Sequence, residues 1–179
     1  MSRFSHAWAV ATMLLVVSWG ANATQNDPPD EYQVKGAYLY HFTKFVTWPP
    51  SVFADQEEPF RLCVLGQNPF GSLLDLLSRK SVNNRRITIL YLEGGQQATR
   101  CHLLFIANSE RDRLTTILAA IQGKPVMTVG DMPDFARQGG MIHFIQVHDT
   151  LRFAINQETV LEAGLKVNAM LLQVGQVIK

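Results

Sequence analysis

Asp131 is the carboxylate best placed for chemistry. It follows Pro125 to Val129, an apolar run that reads as a strand, and open α/β sheets take ligands at the carboxyl ends of their strands. There it would act as a general base or a ligand carboxylate. The favoured reading is plainer: Asp131 turns the chain towards Pro133, a common use of Asp. Glu110 and Asp112 follow a neighbouring strand and offer further acids, although both also suit the positive end of a helix. Lys166 and Asn168 flank Val167, just after the break at Gly164-Leu165. An ammonium and an amide at a helix restart suit a small anionic or zwitterionic ligand. An exposed lysine beside a capping asparagine explains them equally well.

Other chemistry finds little support. The histidines His41, His102, His143 and His148 fall on separate elements, and no His-Glu-x-x-His occurs, so no metal site is expected. His41 reads as a core or pocket-edge residue, and His143 and His148 as solvent-facing. Gly66 to Gly71 resembles a phosphate loop only in its two glycines; Asn68-Pro69 explains it better as a helix start. There is no nucleophile elbow, no P-loop and no dinucleotide fingerprint. Neither a catalytic set nor a cofactor is expected, and a hydrolase built on Asp131 and a histidine is the weakest reading.

The elements that position these residues alternate. A helix is expected from Asp30 to Trp48, with Val34, Ala37, Tyr38, His41, Phe45 and Trp48 on its inner face. Tyr40, on the opposite side, suits a contact surface, where Tyr is enriched. Strands are expected at Phe60–Leu65, Ile87–Leu92, His102–Ala107 and Pro125–Val129. Helices are expected from Asn68 and from Ser109 to Ile121. Met141–Val147 and Leu151–Asn156 read as a hairpin with one wet face, and the chain from Glu158 reads as helical. The fold class is α/β: a single-domain, mixed, mostly parallel sheet, flanked by helices on both faces, with a C-terminal antiparallel hairpin. If the hairpin edge is exposed, Ile142, Phe144 and Val160 would form a partner contact.

The start of the chain reads as an export signal. Arg3 precedes an apolar stretch from Ala7 to Trp19, ending in Ala21-Asn22-Ala23, a small-x-small cleavage pattern. The stretch is shorter than the ~20 residues a spanning helix needs. The expected division is a signal peptide over 1–23, a leader over 24–29 and one domain over 30–179. The net charge of +1 rests on Arg3, so the mature chain is formally neutral, which argues against a nucleic-acid partner. Cys63 and Cys101, the two cysteines, read as one disulfide in an oxidising compartment, with two buried thiols as the alternative.

In order and spacing, Tyr32 to Gln173 resembles the YfiR/HmsC family. The resemblance is carried by Val34-Lys35-Gly36-Ala37-Tyr38-Leu39-Tyr40-His41-Phe42, with Phe45 and Trp48-Pro49. It continues through Leu62-Cys63-Val64-Leu65-Gly66, Pro69-Phe70-Gly71, Cys101-His102-Leu103-Leu104-Phe105-Ile106 and Ser109-Glu110. The most distinctive block is Thr128-Val129-Gly130-Asp131, Phe135 and Gly139-Gly140-Met141-Ile142, followed by Phe153-Ala154-Ile155-Asn156 and Ala163-Gly164-Leu165-Lys166. The resemblance implies a periplasmic, non-enzymatic repressor of an inner-membrane diguanylate cyclase, lowering cyclic di-GMP and biofilm formation. It also implies a homodimer, an outer-membrane lipoprotein that sequesters the repressor, and small-ligand binding near Lys166 and Asn168. Cys63 and Cys101 match one family disulfide; a second pair found in some relatives is absent.

Overall fold

The computed structural model describes residues 31–148 and 150–178. The expected signal peptide, the leader, the Asp30 helix start and the hairpin tip at Asp149 lie outside them.

Helix α1 (Glu31–Phe45) buries Lys35, Gly36, Leu39, Phe42 and Thr43. The face expected to be inward is half-buried at Val34, Tyr38 and Phe45, and exposed at Ala37 and His41. Large side chains encircle this helix, so its sequence marks no single stripe. Packing decides instead: the Phe42 ring stacks on Phe144 at 5.8 Å and meets Phe153 edge-on at 5.2 Å. Thr43 tolerates burial because its hydroxyl donates to the Tyr40 carbonyl at 2.6 Å. The chain then extends as β1 (Val46–Thr47) rather than continuing as helix to the prolines.

Strand β2 (Phe60–Leu65) follows. The helix expected from Asn68 does not form there; a 3-10 turn occupies Leu73–Arg79. Asn68 spends its side chain on its own loop, accepting from the Phe70 N–H at 2.9 Å and donating to the Gly71 carbonyl at 2.8 Å. Next come β3 (Ser81–Val82) and β4 (Arg85–Leu92), joined by Asn83 and Asn84 in the left-handed region. Strand β5 (Leu103–Ile106) leads to a 3-10 segment, Asn108–Arg113, and α2 (Leu114–Ile121). The expected single helix is split because Ser109 Oγ accepts the Gln67 N–H at 2.9 Å instead of capping. The chain continues through β6 (Met127–Gly130), β7 (Ile142–Val147), β8 (Thr150–Asn156), α3 (Gln157–Glu162), β9 (Lys166–Val167), α4 (Ala169–Val174) and β10 (Gln176–Ile178).

The main sheet has the order β10-β8-β7-β6-β5-β2-β4-β3. Pairing from β4 through β2, β5 and β6 to β7 is parallel, β7 and β8 form the antiparallel hairpin, and β10 adds parallel to β8. Strands β1 and β9 pair separately. Side chains alternate between two cores. Leu62, Val64, Leu103 and Phe105 join α1, α3 and α4 on one face, while Cys63, Leu65, Leu104 and Ile106 join α2 on the other. The disulfide forms: Cys63 on β2 bonds Cys101 at the entry to β5, with Cα atoms 5.9 Å apart.

The exposed-edge expectation is overturned. Ile142, Phe144 and Val160 are 0%, 2% and 1% exposed, so they are core residues of this chain. Strand β7 lies between β6 and β8, and β10 covers the outer side of β8. The helix expected from Glu158 onward leaves no strand to cover the hairpin, whereas β10 forms at Gln176–Ile178. The wet face expected of β8 is likewise restricted to its start, Thr150 and Arg152, since Ala154 is buried.

The motif Gly130…Phe135…Gly140 has a packing cause. Phe135 is fully buried, and a Cβ on Gly130 would sit 2.7 Å from its ring; one on Gly140 would meet the same ring more closely still. Gly140→Ala is therefore expected to cost about 2 kcal/mol, an overpacking penalty. Chemical denaturation checks it, and an unchanged midpoint would contradict this account of the motif.

Candidate functional site

The carboxyl ends of β2, β5 and β6 bring together Gly66, Ser109, Glu110 and Asp131. Gly66 has φ +89°, and a Cβ there would lie 2.5 Å from Ser109 Oγ. Glu110 is 4% exposed, and Arg113 Nη2 straddles its carboxylate, 2.9 Å from Oε1 and 2.7 Å from Oε2. The first is a hydrogen bond; the second is an ionic contact of poor alignment. The two acids therefore do not form a shared-proton pair: each has its own cation.

Asp131 is held by α1. Lys35 Nζ donates to Asp131 Oδ2 at 2.5 Å, the Tyr32 hydroxyl donates to the same oxygen at 3.0 Å, and Glu31 lies 2.5 Å from the same ammonium. Lys35 also lies 4.3 Å from the Tyr32 ring centroid. Burial pulls the Lys35 ammonium down, but the hydrogen bonds it donates to Asp131 and Glu31 outweigh it and hold it above its ordinary value. Burial, reinforced by the Asp131 charge, raises the Tyr32 phenol. The lysine side chain is 3% exposed and the aspartate 9%. The arrangement is an ionic lock that fixes the first turn of α1 to the sheet, more than Asp131's expected turn role. Glu31 and Lys35, four apart on a helix, were the available signal.

His143 lies beside this lock, opposite Gly130 in the β6–β7 register. It is half-buried rather than solvent-facing, and burial holds its imidazole below the ordinary value despite Asp134 and Asp131 nearby. Among the described residues no hydroxyl or thiol is hydrogen-bonded to it.

Lys166 and Asn168 lie elsewhere. Both are exposed; Lys166 pairs with Thr47 in the β1–β9 ribbon, and Asn168 N–H donates to the Phe45 carbonyl at 2.8 Å. They sit by the end of α1, whereas Asp131 grips its start, about 15 Å away along the helix. Asn168 caps α4, accepting the Met170 N–H at 2.8 Å. Among the described residues no three His, Cys, Asp or Glu side chains are placed to hold a metal ion.

A buried histidine unmarked by the sequence reading sits at the other end of the sheet. His102 is 2% exposed, between Phe53 at 4.5 Å and Phe60 at 5.1 Å. Its Nδ1 accepts the Arg61 N–H at 2.9 Å, and its carbonyl accepts the Trp48 indole N–H at 3.0 Å. The ring proton therefore belongs on Nε2, and a second proton on Nδ1 would oppose the Arg61 N–H. Burial, followed by the Arg61 guanidinium, holds this imidazole at about 4. Between about 6.5 and 4 the unfolded chain takes up a proton that the folded one refuses, so stability falls as pH falls. The loss is at most about 3 kcal/mol. Urea unfolding of wild type and His102→Gln at pH 7 and pH 5 checks it: the variant should be flatter, and parallel profiles would contradict the assignment.

The chain is a disulfide-bonded α/β domain built on a mixed sheet, with the Glu110 and Asp131 carboxylates each held in an ion pair. The YfiR/HmsC-like family model matches residues 32–176, and the chain belongs to that family. Members are periplasmic regulators in cyclic di-GMP signalling rather than enzymes. No curated protein matches the chain. Among solved structures, one match is the ABC domain in complex with L-Trp from Streptococcus pneumonia, at 11% identity and TM-score 0.46. It covers 66% of this chain, which spans only 56% of that one, and nothing functional follows from it. Among the described residues no helix is long and apolar enough to cross a membrane.

Proposed function

We propose that this chain is a periplasmic negative regulator that binds an inner-membrane diguanylate cyclase through the cyclase's periplasmic sensor portion. Repression lowers cyclic di-GMP and biofilm formation. The observation that carries this reading is the family match over residues 32–176. The amino-terminal segment supports export, and the disulfide suits an oxidising compartment. A repressor shifts its target only as far as its affinities for the active and inactive states differ. It therefore needs a stable surface rather than a reacting group. Sequestration by an outer-membrane lipoprotein would release the cyclase by competition, and a homodimer would present the binding surface twice. Purified mature protein should bind the isolated sensor portion of the cyclase; an absence of binding by both reduced and oxidised protein would sink the reading.

A second reading, a small-ligand receptor, is favoured by a cleft between α2 and α3. It holds about 260 Å³ and is lined by the apolar Leu118, Ile121 and Met141 with Thr115, Gln122 and Glu162 among its polar groups. An apolar wall with a few hydroxyls, amides and one carboxylate suits a small molecule with an apolar body and a neutral or cationic polar end.

A further inference from the structure

The exposed side of α1 and the 3-10 turn Leu73–Arg79 enclose a groove of about 490 Å³. Gly36, Leu74 and Leu77 are its buried lining, with Ala37 and Leu76 at the rim. Leu76 is 58% exposed and extends the apolar surface of the groove to its rim. Gly36 lets Leu74 pack close to α1, since a Cβ there would lie 3.5 Å from the Leu74 side chain, and the exposed Ala37 beside it projects only a methyl group, so a docking segment can approach α1 at that point.

Tyr40 and Lys80 also line the groove. Lys44 Nζ lies 4.9 Å and Lys80 Nζ 5.3 Å from the Tyr40 ring centroid. Both ammoniums rest on the same ring, and among the described residues neither has an ion-pair partner. Lys35, on the same helix, has two carboxylates. The groove thus combines an apolar trough with two uncompensated cations on a half-buried tyrosine, the composition of an interface centre with a charged rim.

We propose that this groove docks an amphipathic protein segment that places apolar side chains against Leu74, Leu76 and Leu77 and a carboxylate by Lys44 and Lys80. Its occupant is an acidic segment of the regulated membrane protein's periplasmic portion, so the assignment rests on the repressor reading. Charge complementarity selects it: the unpaired charges at the groove are positive, and a second copy would bring its own lysines to the same place.

The test uses the full mature chain and the purified periplasmic portion of the cyclase it represses. Ala37→Trp fills the groove from an exposed position, Lys44→Glu/Lys80→Glu reverses its charge, and Thr116→Trp on α2 is the control on the opposite face. Binding should weaken at least tenfold in the first two and stay unchanged in the control, with melting temperatures near wild type. The charge reversal keeps the test decisive if the tryptophan disturbs folding. Wild-type binding retained by both groove variants would overturn the docking site and leave the repressor reading standing. Altered self-association with intact cyclase binding would overturn it too, assigning the groove to a second copy. A wild-type protein that binds no cyclase would remove both.

Discussion

The Cys63→Ser/Cys101→Ser variant is expected to lose about 4 kcal/mol of stability, the largest single effect in this molecule. The bond closes a loop across a sequence separation of 38 residues, and the unfolded chain without it regains that freedom. The bond also ties β2, at the centre of the sheet, to the start of β5, so its loss loosens adjacent parallel strands. Cys63 and Cys101 are 0% and 3% exposed, which shields the bond from reductant while the fold is intact. Mild dithiothreitol should therefore act slowly and only as fast as the chain opens. Urea unfolding of wild type, the double variant and fully reduced wild type measures the loss; a difference below about 1 kcal/mol would contradict it.

Lys35→Met is expected to cost about 3 kcal/mol, because it leaves the Asp131 carboxylate, 9% exposed, without its cation. Asp131→Asn should cost less, about 1–2 kcal/mol, since Lys35 keeps Glu31 as a partner. The lysine side of the lock is fully charged at neutral pH. With the ammonium raised, its contribution is lost as pH rises beyond the ordinary lysine value of 10.5. The pair of variants also separates structure from chemistry. A structural lock predicts that Asp131→Asn lowers stability and changes activity only in proportion. A functional carboxylate would show the opposite, full stability with regulation lost. A double-mutant cycle of Lys35→Met with Asp131→Asn should give a coupling of at least about 1 kcal/mol.

The central strands were legible because burial on both faces leaves near-continuous apolar runs, and Phe60–Leu65 was read with its observed limits. The disulfide was legible from compartment and count. The helix faces were not. Helix α1 carries Tyr38, Tyr40, Phe42 and Phe45 around its circumference, and the inward face was set by partners far along the chain, Phe144 and Phe153. Strand β10 is three residues long and exposed at Gln176 and Val177, too short for a period of two to register. Missing it placed Ile142 and Phe144 at an edge they do not occupy. Asp131 is legible by its position after a strand, but its partner Lys35 is 96 residues away and no local pattern links the two. From sequence, Tyr40 suits a contact surface. The two lysines on its ring come from α1 and from the end of the 3-10 turn, a juxtaposition only the fold creates.

Cellular cyclic di-GMP tests the central claim most directly. It should be measured with the gene deleted, then restored with and without residues 1–23, in cells expressing the candidate cyclase. The repressor account predicts a rise on deletion that is reversed by the exported form alone. An unchanged level on deletion, or equal reversal by the form lacking the export segment, would contradict it.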